Sequence, residues 1–384
     1  MVCVTEDTFG NTVNPLTKKE VPIRRFTITN DRRMSMQLIT YGATITSLKI
    51  PDSHGMVDDI ALGFDNIEGY LTANNPYIGC TVGRVCSRVA NGSFILDGKK
   101  YEVTKNFLGK HMLHGGQHGF SKVIWEVDCV RPDGVVFKFT SPDGHEGFPG
   151  EVVATATYTI TEDNCMRFCL EATTNKPTPV NMTNHAYFNL AGHNAGKQGM
   201  AEHIVKIKAD CITDMDEETV PNGEIISLDN HLLDLRKLTN VGEGLRKIAG
   251  IAKGYDHNYV LKYTPGCIEK QAKAFHPPSG RCMEISSNQP CMHFYTAHNM
   301  PDLEKQKGRK KQKTPQPMIN GKGHSLYEKH GSFCMETHWY PDAVNHENFP
   351  SIILNPGEKY QHVCIFRFGV YDPSCERRGS GFCD

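Results

Sequence analysis

Apolar and polar residues alternate with a period of two along most of this chain. That pattern restricts it to strands whose two faces meet different surroundings. Val152, Ala154, Ala156, Tyr158 and Ile160 alternate mostly with threonines; Met166, Phe168, Leu170 and Ala172 alternate with Arg167, Cys169 and Glu171; Val205, Ile207 and Ala209 alternate with Lys206 and Lys208. Turn signals separate the runs. Phe94 to Val103 reads as a hairpin closed by Asp97-Gly98, because glycine tolerates the positive φ of a tight turn, and Asp133-Gly134, Asp143-Gly144 and Asn222-Gly223 are similar stops. Long segments of period 3.6 are absent; His231 to Leu238 is predicted as a short helix. Short strands in this number predict an all-β fold of sandwiched antiparallel sheets. The pattern runs from Arg25 to Val370 with no Pro- or Ser-rich linker, so the 384 residues are read as one large domain. A basic segment at about residues 303–330, centred on Lys305 to Lys313, is expected to be a solvated, mobile loop, and the tail 374–384 to be poorly ordered.

Charge is nearly balanced, with 42 Lys plus Arg against 43 Asp plus Glu. Such a chain offers no field for a nucleic acid or an anionic membrane, and a small or neutral partner is expected. No apolar run is long enough for a transmembrane helix, and Met1 to Asp7 lacks the apolar core of a signal peptide. The 14 cysteines include no Cys-x-x-Cys pair, and Cys169, Cys282, Cys334 and Cys364 sit in strand-like runs. Buried free thiols and a cytoplasmic location are expected.

Two distant segments set an ionisable side chain among aromatic and amide residues. Val180 to Asn189 holds His185, flanked by Asn181, Thr183, Asn184 and Asn189; Phe333 to Ala343 holds Glu336, with Phe333, Met335, Trp339 and Tyr340 expected as its walls. A charge in such a place is costly unless paired or used, and apolar walls tune a carboxylate toward general-base work. The amides suit a polyhydroxylated ligand or a fixed imidazole. In His111 to Gly119 the histidine spacing invites a zinc reading. That reading is set aside because two glycines break any helix and no acid or cysteine lies nearby; Gly115-Gly116 is expected to let backbone approach a ligand beside His114. Arg84 and Arg88 could donate forked hydrogen bonds to hydroxyls or a carboxylate, with structural pairing an equal reading for Arg84. Asp256, between Tyr255 and Tyr259, reads as a site residue or a turn cap. No dinucleotide fingerprint, phosphate loop, Gly-x-Ser-x-Gly elbow or metalloprotease helix occurs, so no cofactor and no metal is called for.

Taken together these segments resemble the aldose 1-epimerase (galactose mutarotase) family. The matching stretches are Asn75-Pro76-Tyr77-Ile78-Gly79 through Arg88, Leu113-His114-Gly115-Gly116 through Trp125, Ser141-Pro142-Asp143-Gly144, Val180 through Gly192, Gly254 through Asn258, and Glu336-Thr337 through Asn345. They occur in the family's order and cover nearly the whole chain. The resemblance implies a large antiparallel β-sandwich of the galactose mutarotase-like type with a monosaccharide in an open cleft. It implies Glu336 as the base and His185 as the acid, with Arg88, His114 and Asp256 binding or positioning the sugar. Ser87 stands where many members have Asn, and His293 and His338 each replace a frequent Gln; Ser87 and His293 are carried forward as substrate-binding candidates.

The expected reaction is interconversion of the α and β anomers of free aldohexoses such as galactose and glucose, by a monomer or weak homodimer. Glu336 as carboxylate and His185 as imidazolium are expected at neutral pH from ordinary values of roughly 4.3 and 6.5. The alternatives are a hexose-6-phosphate 1-epimerase, which needs clustered arginines at the cleft, a non-catalytic carbohydrate-binding protein, and a glycoside hydrolase using Glu336 with Asp256.

Overall fold

The computed structural model describes residues 1–73, 75–304 and 317–371. The basic run Lys305 to Lys313 and the tail 374–384, both expected to be poorly ordered, lie outside the described residues.

Three antiparallel sheets carry the fold. The largest has nine strands, in the order 126–131, 134–141, 152–160, 165–174, 360–370, 281–287, 269–275, 204–207 and 239–240. A five-stranded sheet joins 221–227, 209–215, 256–261, 291–295 and 334–338, and a second joins the N-terminal strands 3–13, 20–29, 35–39, 44–51 and 57–59 in chain order. The alternation read from Val152 to Ile160 and Met166 to Ala172 becomes two paired strands, Ala154 opposite Ala172 and Ala156 opposite Leu170. The run from Val205 to Ala209 divides at Lys208 between two sheets: Val205 pairs with Ala274 in the nine-stranded sheet, Ala209 with Leu261 in the five-stranded one. The hairpin at Asp97-Gly98 forms as read, with Leu96 opposite Lys99 and both turn residues at positive φ, 51° and 73°.

The largest apolar cluster takes side chains from all three sheets, including Phe26, Phe137, Tyr158, Phe168, Tyr259, Met292 and Phe294. Phe188, on the segment that carries His185, packs 6.1 Å from Phe333 and 5.6 Å from Phe366 (ring centroids), so it ties the five-stranded sheet to the nine-stranded one.

The short helix expected at His231 to Leu238 is absent; that stretch is a series of turns. Asp234 accepts from the Arg236 backbone N–H at 2.9 Å, and the Arg236 guanidinium closes on Asp234 and Asp229 at 2.9 Å each. Side-chain bonds to nearby backbone compete with helix there. Helix forms instead at Val241–Ile248, where Asn240 caps the Glu243 N–H at 2.9 Å; Gly242 and Gly244 masked it. No helix among the described residues is long and apolar enough to cross a membrane.

Candidate active site

Period two decides which residues reach the site. Across strands 256–261, 291–295 and 334–338 three rows face one way: Asp256, Tyr295 and Cys334; Asn258, His293 and Glu336; Val260, Cys291 and His338. The intervening Tyr259, Met292, Phe294 and Met335 face the core. Glu336 therefore stands on the opposite face from Met335, its neighbour in sequence. The expected wall of Phe333, Met335, Trp339 and Tyr340 is corrected: the aromatics lining the cleft are Tyr77, Phe107, Tyr187 and Tyr295.

The two distant segments are zipped together backbone to side chain. Phe188 and Phe333 exchange N–H···O bonds of 2.7 and 3.0 Å. Thr183 Oγ1 donates to the Thr337 carbonyl at 2.9 Å; Asn181 donates to the Trp339 carbonyl at 3.1 Å and accepts from its N–H at 3.0 Å. Asn184 bonds the Gly79 carbonyl and the Tyr158 hydroxyl, and Asn189 bonds the Gly196 and Gly331 carbonyls. The amides around His185 thus position its segment rather than reach a ligand. Asn181→Ala is expected to cost about 1–3 kcal/mol by stranding the part-buried N–H and carbonyl of Trp339, and to slow turnover as the segments part; thermal unfolding and polarimetry check both.

This zipper sets His185 Nε2 3.6 Å from Glu336 Oε1. Both are nearly buried, 5% and 4% exposed, and both line one cleft of about 190 Å³. The imidazole lies parallel to the rings of Tyr187 (4.9 Å) and Tyr77 (6.2 Å), each at 17°, which fixes its plane. Its Nδ1 lies 3.6 Å from Cys334 Sγ. Burial pushes Glu336 well above the usual carboxylate range, helped by repulsion from Asp256. Burial also pulls His185 down to about 3, with the His293 charge adding to it. The expectation of ordinary values is corrected: desolvation penalises the charged form of each.

The other candidates converge on the same space. His293 Nε2 meets Asp256 Oδ1 at 2.6 Å. Burial would raise Asp256, but its bond to His293 and the charges of His293, Arg88 and His298 win, holding it below the usual carboxylate range. Asp256 opens strand 256–261 and is no turn cap. His114 and Ser87 lock each other, both at positive φ: the His114 N–H donates to the Ser87 carbonyl at 2.9 Å, and the Ser87 N–H donates to His114 Nδ1 at 3.2 Å. With Nδ1 accepting, the proton of neutral His114 sits on Nε2. Burial, then the His185 charge, holds His114 well below its ordinary value. Arg88 lies over Phe107, 5.3 Å from the ring centroid, with its Nε buried and unpartnered.

Three sequence readings resolve away from the cleft. Arg84 is 2% exposed and donates to the carbonyls of Pro149 (2.8 Å) and Gly150 (2.9 Å) and to Ser141 Oγ (2.7 Å). It is a staple, and Arg84→Met is expected to cost about 2–4 kcal/mol with KM for sugar unchanged, as thermal unfolding and polarimetry would record. His111 is buried, with Nδ1 accepting from the Asn91 N–H at 3.0 Å and Nε2 at 3.1 Å from Glu218, so both ring nitrogens are taken and the histidine run does not converge on a metal. Gly115 and Gly116 are needed by the protein itself: a Cβ would meet the Gly83 carbonyl oxygen at 1.9 Å and Glu146 Oε2 at 2.2 Å respectively.

Sequence reasoning left out Tyr77, Cys86, Tyr187, Tyr295, Asn299 and the cleft-lining role of His338. The signal for four of the site's neighbours was available. Tyr187 follows His185 by two, Tyr295 follows His293 by two, and Cys334 and His338 flank Glu336 by two, so each shares its partner's face.

Residues 24–367 match the aldose 1-epimerase family. The chain is 40% identical over 372 residues to a galactose mutarotase of Bos taurus and 38% identical over 372 residues to that of Homo sapiens, in each case across 96% of this chain and 100% of the relative. A crystal structure of an aldose epimerase homologue from C. elegans superposes with a TM-score of 0.78 at 28% identity, over 90% of this chain and 98% of that one. With a sandwich of this kind and kinship over nearly its full length, the chain belongs to the aldose 1-epimerase family.

Proposed function

We propose that this cleft interconverts the anomers of free aldohexoses, galactose and glucose among them, with Glu336 as base on the anomeric hydroxyl and His185 as acid on the ring oxygen. The observation that supports the pair is its geometry: a carboxylate oxygen and an imidazole nitrogen 3.6 Å apart, facing one cleft. The anomeric hydroxyl and the ring oxygen share one carbon, so the base and the acid must lie this close.

The proton count follows from burial. With Glu336 raised and His185 lowered, burial favours the neutral form of the pair, with its one exchangeable proton on Glu336. A bound sugar stabilises the charged arrangement, because its anomeric hydroxyl donates to the carboxylate and its ring oxygen accepts from the imidazolium. Glu336 then takes the hydroxyl proton and His185 gives its proton to the ring oxygen. The C1–O5 bond opens to the aldehyde, rotation about C1–C2 exposes the other face, and closure with reverse transfers yields the other anomer. The proton is back on the pair and no cofactor is consumed. His114, Arg88 and the Asp256–His293 pair hold ring hydroxyls, and Ser87 acts through its backbone on His114.

Arg88 is the one arginine lining the cleft among the described residues, which favours a free hexose over a hexose phosphate. Asp256 is engaged by His293, which disfavours glycoside hydrolysis with Asp256 as the second carboxylate. Polarimetry of freshly dissolved α-galactose, with α-glucose and galactose 6-phosphate beside it, is the test. Accelerated decay on the free sugars is expected. A rate at the buffer background, or one confined to the phosphate, overturns the reading.

A further inference from the structure

The five-stranded sheet places Cys334 and Glu336 two residues apart on one face, and the 180–189 segment lays His185 across them. One donor atom from each of the three lies within 4.8 Å of the others. We propose that Cys334, His185 and Glu336 form a site for one soft divalent cation, of which zinc is the example, at the floor of the sugar cleft, where it excludes sugar.

The donor set fits, and so does the sulfur–nitrogen spacing through His185 Nδ1; Glu336 Oε1, which lies 3.6 Å from the other ring nitrogen, Nε2, has to turn toward Nδ1 to complete the set. A tetrahedral zinc with bonds of about 2.3 Å to sulfur and about 2.0–2.1 Å to nitrogen holds those two atoms about 3.6 Å apart. Cys334 Sγ and His185 Nδ1 are 3.6 Å apart. Imidazole, thiolate and carboxylate select zinc or cobalt over magnesium or calcium, which prefer all-oxygen shells. Charge balance favours the ion as well. One thiolate and one carboxylate neutralise a divalent cation, and a neutral cluster suits groups that are 0%, 5% and 4% exposed at Cys334, His185 and Glu336. The thiol proton and the proton held by the Glu336–His185 pair both leave to solvent on binding. Three protein donors leave a fourth position open toward the cleft, the arrangement of an accessible zinc site rather than a closed structural one. The stacked rings of Tyr77 and Tyr187 hold the imidazole in place before any ion arrives.

Binding stands on these three donors alone. Its effect on turnover rests on the roles proposed above for Glu336 and His185, since an ion held by both leaves neither to move protons. Cobalt(II) is the probe, because a cysteine ligand gives a strong thiolate-to-cobalt charge-transfer band. The full-length protein, stripped with chelator, is titrated with cobalt with and without galactose, zinc is then added, and polarimetry is run in parallel. The expected result is one cobalt per chain with that band, loss of the band on adding zinc, and weaker binding in galactose. Cys334→Ser should lose the band and need on the order of a hundredfold more zinc to slow mutarotation, because even an outer-shell loss costs about 10–100-fold.

Absence of the band overturns the site. So does a band that persists in Cys334→Ser, which would place the metal on exposed thiols such as Cys3, Cys129 or Cys267. Should that variant not fold, the native chain still decides, because a band indifferent to galactose rejects the cleft. Cobalt bound with the band while mutarotation continues unchanged would keep the metal site and remove the roles given to Glu336 and His185.

Discussion

Glu336→Gln is expected to lower mutarotation about 10²–10⁴-fold while the protein folds and resists heat at least as well as the parent. The rate falls because the amide cannot take the anomeric proton. Stability holds because Gln keeps the shape and the cross-strand place opposite His293 and removes an ionisable group whose charge is expensive there. Burial raises the folded-state value of Glu336 above its ordinary 4.5, so the folded protein binds the proton more tightly than the unfolded chain. Stability from that proton is complete below about 4.5 and is lost as pH rises through the raised folded value. The thermal midpoint of the Gln variant, relative to the parent, should therefore climb with pH. Polarimetry on fresh α-galactose and thermal unfolding at several pH values measure the two effects. Near-normal turnover would falsify the base assignment, and a variant least favoured at high pH would contradict the buried carboxyl.

For His185→Asn the expected result is a loss of similar size, about 10²–10⁴-fold in turnover, with a smaller change in KM. The side chain remains polar but has no titratable proton for the ring oxygen. The two losses should not multiply, because acid and base act as one unit and either alone leaves the other idle. The parent's pH profile follows from the same pair. A second proton is taken up only as pH falls toward about 3, where burial has moved His185. The single shared proton is lost only well above the ordinary carboxylate value, where burial has moved Glu336. Between these limits kcat/KM for galactose should be level, falling at the acid end as His185 gains a proton and at the alkaline end as the pair loses its last one. A break in kcat/KM at the ordinary histidine value of about 6.5, abolished by His185→Asn, would show an imidazole that titrates as if exposed. An unchanged rate in the variant would remove the acid assignment altogether.

Much of this was legible along the chain. The alternation at Val152 to Ile160 and Met166 to Ala172 announced paired strands, and Asp97-Gly98 announced its hairpin, because strand faces and tight turns are local matters of side-chain direction and φ. Glu336, His185, His114, Arg88, Ser87, Asp256 and His293 stand out in the sequence, and all line one cleft. Period two read within the site strands would also have supplied Tyr295 and Cys334.

What the amino-acid order determined by itself was which residues share a face and where the chain must turn, since both depend on neighbours one or two positions away. What tertiary structure alone decided was the use of each polar group. Arg84 and Arg88 lie four residues apart in similar surroundings, yet one is spent on the Pro149 and Gly150 carbonyls and the other faces the cleft. Asn181 belongs to Trp339, far along the chain, rather than to a ligand. The proton balance of Glu336 and His185 was likewise out of reach, because desolvation depends on every segment packed around them, and that packing exists only once the sheets have closed.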